Sequence, residues 1–150
     1  MNSLVYDEGM PARDFEVLEH PADIGFRAFG ATLPELYANA AMAMLSIADD
    51  PAAVEPREEY RLAVESGDRE SLMVDWLSEV LYWFDGKRIA FHDVEVRVLE
   101  GERRIEGVAR GERREGGRHR ARLIVKAVTY HQLKVEECGG QWVAEVFLDI

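Results

Sequence analysis

Two periods of hydrophobic and polar positions divide this chain into helices and strands. Leu33, Leu36, Tyr37, Ala40, Ala41, Met44, Leu45 and Ala48 recur at helical spacing. Thr32 can cap that helix, Glu35 completes a capping box, and Pro34 is tolerated in the first turn. Asp49-Asp50-Pro51 ends it, and residues 49–57 read as a loop. Leu72, Met73, Trp76, Leu77, Val80, Leu81 and Phe84 mark a second helix, capped by Asp68 and stopped by Gly86. Elsewhere the period falls to two. Phe15–Leu18 is a short apolar run. Ile24–Phe29 alternates, and so does Glu58–Ser66, with Tyr60, Leu62 and Val64 on one face. From Ile89 onward the pattern is almost wholly β: Val94, Val96 and Val98, then Arg104–Arg110, Arg120–Tyr130, Leu133–Glu136 and Trp142–Asp149. The spacing also predicts a charged hairpin loop over Gly111–Gly117 and a turn at Cys138-Gly-Gly-Gln141. Two helices confined to one part of a strand-rich chain predict an α+β domain, with both helices packed on one large, mainly antiparallel or mixed sheet.

Composition adds bounds. With 150 residues, 47% hydrophobic and 31% charged, the chain is long enough for one domain with a real core. The expected division is a mobile leader over residues 1–14 and a domain over 15–150. The leader lacks an apolar signal core, and no stretch approaches the length of a membrane span. The single cysteine, Cys138, permits no intrachain disulfide, which fits a cytoplasmic setting. The net charge of −11 is uneven: residues 1–86 hold 18 acids against 5 Lys or Arg, and residues 87–150 hold 11 against 13. Such a balance disfavours tight nonspecific binding to nucleic acid and favours docking on a basic protein. Eight arginines fall within residues 103–122, but Glu106, Glu112 and Glu115 interrupt them and no aromatic residue accompanies them. That composition reads as a solvated face, with at most weak or indirect contact to RNA.

The chemistry the chain can offer is rich in oxygen. It has no phosphate-binding glycine loop, no paired cysteines, no His-Glu-x-x-His and no nucleophile elbow around its serines. It does have His20 and Asp23 three residues apart at a turn between two strands, with Pro21 restricting the backbone. Spacing alone leaves two readings open. Asp23 can bond its own backbone, or the turn can present ligands. Asp149 and the oxygens of Ile150 lie at the other end of the sequence. Were the last strand to finish beside the Asp23 turn, the carboxylates would need a cation, and oxygen donors suit calcium or magnesium.

The stretch His-Pro-Ala-Asp-Ile-Gly-Phe-Arg-Ala-Phe-Gly, residues 20–30, followed by Leu36-Tyr-Ala-Asn-Ala-Ala41, resembles the opening of the archeases. The resemblance returns at Lys126-Ala-Val-Thr-Tyr-His131 and at Val146-Phe-Leu-Asp-Ile150, so it spans residues 15–150. It implies a compact α+β domain that acts without catalysis of its own. The implied role is that of a protein cofactor for an RtcB-type RNA-splicing ligase, promoting guanylylation and multiple turnover in tRNA splicing or RNA repair. It further implies a metal site at Asp23, Asp149 and Ile150, with calcium as the ion and magnesium or manganese as alternatives. His20, Lys126 and His131 match polar motif positions whose part, in the site or in structure, stays open. Two rival functions come with this reading. One is a chaperone-like modulator of an RNA methyltransferase. The other is a small metal-dependent hydrolase built on Asp23, His20 and Asp149, for which the sequence offers neither a nucleophile nor an oriented base.

Overall fold

Alternation along each strand decides which residues are buried, and the pairing of the strands decides where the helices go. The structure, a computed structural model, describes residues 14–20, 23–116, 119 and 122–150. The leader expected over residues 1–14 therefore lies outside the described residues except for Asp14, whose carbonyl accepts from the Phe29 N–H at 2.9 Å.

The chain runs β1 (Phe15–His20), β2 (Asp23–Gly30), α1 (Leu33–Ala48), β3 (Glu58–Glu65), α2 (Arg69–Leu81), β4 (Ile89–Glu100), β5 (Arg104–Arg113), β6 (Ala127–Val128), β7 (Lys134–Cys138) and β8 (Gln141–Asp149). Every described strand pairing is antiparallel. The predicted α+β domain with two helices packed on antiparallel strands is what is found. The strands, however, form two sheets rather than one large one. The first has the order β1–β2–β8, with β6 and β7 both pairing on the far side of β8; the second is β3–β5–β4.

The helices lie between these sheets. α1 packs on β1, β2 and β8 of the first sheet and on β4 of the second, while α2 packs on β6 and β7 on one side and β3 and β5 on the other. This placement explains a feature of α1 that a one-sided helix lacks. Ala43 and Ile47, off the predicted apolar stripe, are buried along with Leu36, Tyr37, Ala40, Ala41, Met44, Leu45 and Ala48. A helix apolar around most of its circumference needs cover on both sides. Thr32 Oγ1 accepts from Glu35 N at 3.3 Å, and Glu35 reaches back to Ala31 N, so the predicted start holds. In α2, Asp68 caps through Ser71 N at 2.7 Å, and that N–H holds the Asp68 carboxyl below the usual carboxylate range. Fully buried Trp76 joins the layers: its indole donates to the Tyr37 carbonyl of α1 at 2.9 Å. Its ring also fills the place a Cβ on Gly107 of β5 would occupy. Tyr37 in turn donates its hydroxyl to the Arg69 carbonyl at 2.7 Å, and burial pushes its pKa up.

α2 does not end simply at Gly86. After Leu81 the backbone widens into a π-turn, Tyr82–Gly86. β7 and β8 turn at Gly139 and Gly140, whose φ angles of 61° and 82° suit the tight two-residue hairpin.

The arginine-rich segment departs from its sequence reading. β5 continues through Gly111 to Arg113; of the predicted strand over 120–130, residues 120 and 121 lie outside the described residues, and 122–130 hold only β6. Gly111 is needed there because a side chain would collide with the Ala90 carbonyl of the paired strand. Between β5 and β6 the backbone bonds to other elements instead of a ladder. Arg114 N donates to the Arg88 carbonyl, Arg122 N to Ala48, and Lys126 N to Asp149, each at 2.8 Å. Buried His119 anchors the middle, with Nδ1 accepting from Glu115 N and Nε2 bonded at 3.0 Å to the buried Glu112 carboxylate. The segment is a strap from one sheet to the other. Arginines on β5 face acids: Arg110 pairs with Asp93, Glu95 and Glu59, and Arg104 with Glu100 and Glu106. Arg114 differs, lying 4.3 Å over the Phe84 ring and donating to the Phe84 carbonyl at 3.1 Å. Arg113→Ser should therefore shift stability by less than about 0.5 kcal/mol. Arg114→Ser should cost roughly 1–2 kcal/mol. Chemical denaturation of the two variants checks this, and equal costs would show that Arg114 is as solvated as Arg113.

Candidate metal centre

The end of the first sheet collects the residues that the sequence singled out. β1 and β2 pair with His20 opposite Asp23, and β2 pairs with β8 up to Ile24 opposite Leu148. Continuing that register by one residue sets Asp23 against Asp149. Residues directly opposite on antiparallel strands point to the same face, with Cβ atoms roughly 4.5–5.5 Å apart. Asp149 is paired on its other side with Ala127, and its carbonyl accepts from Lys126 N at 2.8 Å. Two carboxylates 126 positions apart in sequence thus become neighbours on adjacent strands.

Alternation puts this pair on the face away from the helices. Phe26 and Ala28 of β2, and Ala144, Val146 and Leu148 of β8, belong to the core between the sheets. The opposite face carries rows that cross β2 and β8: Asp23 and Asp149, then Gly25 and Phe147, then Arg27 and Glu145. The second row is closely fitted, since a Cβ on Gly25 would meet the Phe147 ring at 2.7 Å. The His131 ring lies edge-on to Phe147 with centroids 6.1 Å apart, which gives His131 a packing role one row from the carboxylates. In the third row Arg27 bonds Glu145 at 3.0 Å and also pairs with Glu16 of β1. These ion-paired and stacked rows fix the lateral alignment of β1, β2 and β8, and hence the approach of Asp23 to Asp149.

The sequence-predicted residues are distributed as follows. Asp23 is half-buried, whereas Asp149, Ile150, Lys126 and His131 are exposed. The backbone of His20 pairs with Asp23, and the Pro21-Ala22 turn lies outside the described residues. Lys126 stands opposite Ile150 by the β6–β8 register, on the face toward the helices. Among the described residues no group of three or more His, Cys, Asp or Glu side chains could hold a metal ion. A cation beside Asp23 and Asp149 would draw two ligands from side chains and the rest from main-chain oxygens, such as that of Ile150, or from water. All of these are hard oxygen donors, the set preferred by calcium, magnesium and manganese. The donor chemistry fits such an ion.

Sequence reasoning missed Gly25, Arg27, Phe147 and Glu145 as supports of this site. A signal was present: besides the aspartate at one end of each strand, Arg27 is the only charge in β2 and Glu145 the only charge in β8, and the two are opposite in sign.

Known proteins match this chain over nearly its whole length. A model of the Archease protein family (MTH1598/TM1083) matches residues 15–150. The "Protein archease" of Methanosarcina mazei is 42% identical over 141 residues, covering 92% of this chain and 97% of the relative. That of Methanopyrus kandleri is 41% identical over 138 residues, covering 91% and 99%. Among solved structures, the solution structure of Methanobacterium thermoautotrophicum protein 1598 superposes with a TM-score of 0.77 at 35% identity, covering 91% of this chain and 99% of that one.

Proposed function

The chain belongs to the archease family, and from that premise we propose that it is a non-enzymatic protein cofactor of an RtcB-type RNA ligase. In this reading it promotes guanylylation of the ligase and so restores multiple turnover in tRNA splicing or RNA repair, in the cytoplasm. The observation that carries the reading is the family match across residues 15–150. The absence of a helix long and apolar enough to cross a membrane, among the described residues, is compatible with it.

Asp23 and Asp149, with an oxygen of Ile150, are the proposed ligands of a calcium ion. Once bound, the ion would supply concentrated positive charge for a triphosphate. The protein's own residues do the rest. The Arg27 ion pairs and the Gly25–Phe147 contact hold β2 and β8 in register, so the two carboxylates face each other before any ion arrives. Acid residues outnumber basic ones by 29 to 18, which favours association with a ligase surface made basic to hold RNA.

A ligation assay with limiting ligase, GTP and divalent metal tests the function. The ligase alone should stop after about one turnover, and continue when this protein is added. Equal product with and without it removes the reading.

A further inference from the structure

The outer face of the first sheet, the one away from the helices, is apolar and closed to water along most of its length. On β8 its residues are Val143, 1% exposed, Glu145, 3%, and Phe147, 4%. Across from them on β2 stand Phe29, 8% exposed, and Gly25. Leu18 of β1, opposite Gly25, is half-buried. An antiparallel sheet with one face on the core commonly turns its other face to water, and the outward residues are then polar and wet. Here they are neither.

The described elements do not supply the cover. α1 is the one described helix that packs on β2 and β8, and it lies on their opposite face, with Phe26, Ala28, Ala144, Val146 and Leu148. His131 borders Phe147, and Arg27 borders Glu145. Neither contact accounts for the row of Phe29 and Val143. Glu16, Arg27, Phe29, His131 and Phe147 all belong to this face, and each carries a further interaction besides these. The cover therefore comes from outside the described residues, that is, from 1–13, 21–22, 117–118 or 120–121. Residues 21–22 close the turn at the carboxylate end of the sheet. Those near 120 are tied through His119 to Glu112 of β5 and through Arg122 to the end of α1. The N-terminal segment is left, and it starts at the right place. The Asp14 carbonyl accepts from the Phe29 N–H at 2.9 Å, so the chain enters beside the Phe29–Val143 row. It brings an apolar run, Leu4-Val5-Tyr6, and Met10. Thirteen residues span up to roughly 43 Å. The four residues from the Phe29 row to the Phe147 row span only about 13 Å. One row further on, Asp149 is exposed, so the cover ends before the carboxylates.

We propose that residues 1–13 dock on this outer face, with Leu4-Val5-Tyr6 against Phe29, Val143 and Phe147, rather than trailing as a leader. The docked segment roofs the rows that hold β2 and β8 in register and leaves the Asp23–Asp149 end open. The family match starts at residue 15, so this roof is added to the domain that the chain shares with its relatives. The proposal is independent of the ligase reading.

Nuclear magnetic resonance on the full chain tests it, at a concentration where sedimentation shows a monomer. Nuclear Overhauser effects from the Tyr6 ring to the Phe29 or Phe147 ring are expected. The double variant Leu4→Asp, Tyr6→Asp is expected to lose them, to bind more hydrophobic dye and to melt lower by roughly 3 °C or more. If the parent shows no such effects from any of residues 1–13 to Phe29, Val143 or Phe147, the proposal is overturned. It is also overturned if the double variant melts and binds dye like the parent. A mixture of labelled and unlabelled chains reads the remaining alternative: effects that run only between chains would make the cover a second copy and overturn docking within one chain.

Discussion

Asp23→Asn and Asp149→Asn are each expected to abolish stimulation of the ligase and to weaken calcium binding by on the order of tenfold or more, while leaving the fold intact. Each substitution keeps the shape of the side chain and deletes one full negative charge from the proposed site, where Asp23 and Asp149 are the two side-chain ligands. Binding of a hard divalent ion depends steeply on the number of charged oxygens, so half of the side-chain charge is a large loss. Stability should move the other way without metal. The register sets two like charges on neighbouring strands, and removing one relieves their repulsion. Titration calorimetry reads the affinity, metal-free denaturation reads the fold, and multiple-turnover ligation reads the function. Should both variants bind calcium and stimulate like the parent, Asp23, Asp149 and Ile150 are not the metal site.

The second large effect concerns the core. Trp76→Ala is expected to cost about 3–5 kcal/mol, because it empties a fully buried site and strips the Tyr37 carbonyl of its indole donor. For a chain of this size that lowers the thermal midpoint by on the order of 10 °C. The loss is large because one side chain links three elements: its own α2, the backbone of α1, and the Gly107 gap in β5. Calorimetric or chemical denaturation checks it. A midpoint within about 2 °C of the parent would mean that the layers are held together elsewhere.

How much of this could be read beforehand follows from what each signal encodes. Helix starts at Thr32 and Asp68 were legible because capping is local: the donor and acceptor are three residues apart. The apolar faces of β2, β3 and β8 were legible for the same reason. Division into two sheets was not, because alternation says which side of a strand is buried and nothing of which strand lies beside it. Cover on both sides of α1 was not legible either, because small and branched residues off the stripe, such as Ala43 and Ile47, also occur on exposed faces. The strap between β5 and β6 was misread as a strand because Leu123, Val125 and Ala127 alternate like one; its backbone donors go to Ala48 and Asp149 instead of a ladder. As for the site, spacing exposed Asp23 at a turn and Asp149 at a strand end, but their meeting depends on a register between segments more than a hundred residues apart. Only the resemblance to the archeases suggested it.

That long-range register also sets an order of events during synthesis. The second sheet is complete in sequence once Arg113 has been made, whereas β2 waits for β8. At translation speeds of about 5–20 residues per second, the wait is roughly 6–22 s for the 110 residues between them. The expected early product is a half-built molecule, with α1 covered by β4 on one side and by the β1–β2 hairpin alone on the other. Until β8 arrives, the inner edge of β2 is an open invitation to mispairing and a substrate for ribosome-associated chaperones. Asp149 then arrives on the same strand that seals the fold. A chain cut short before residue 141 would lack both the closing strand and Asp149, so the fold and the proposed carboxylate pair are completed by a single late step.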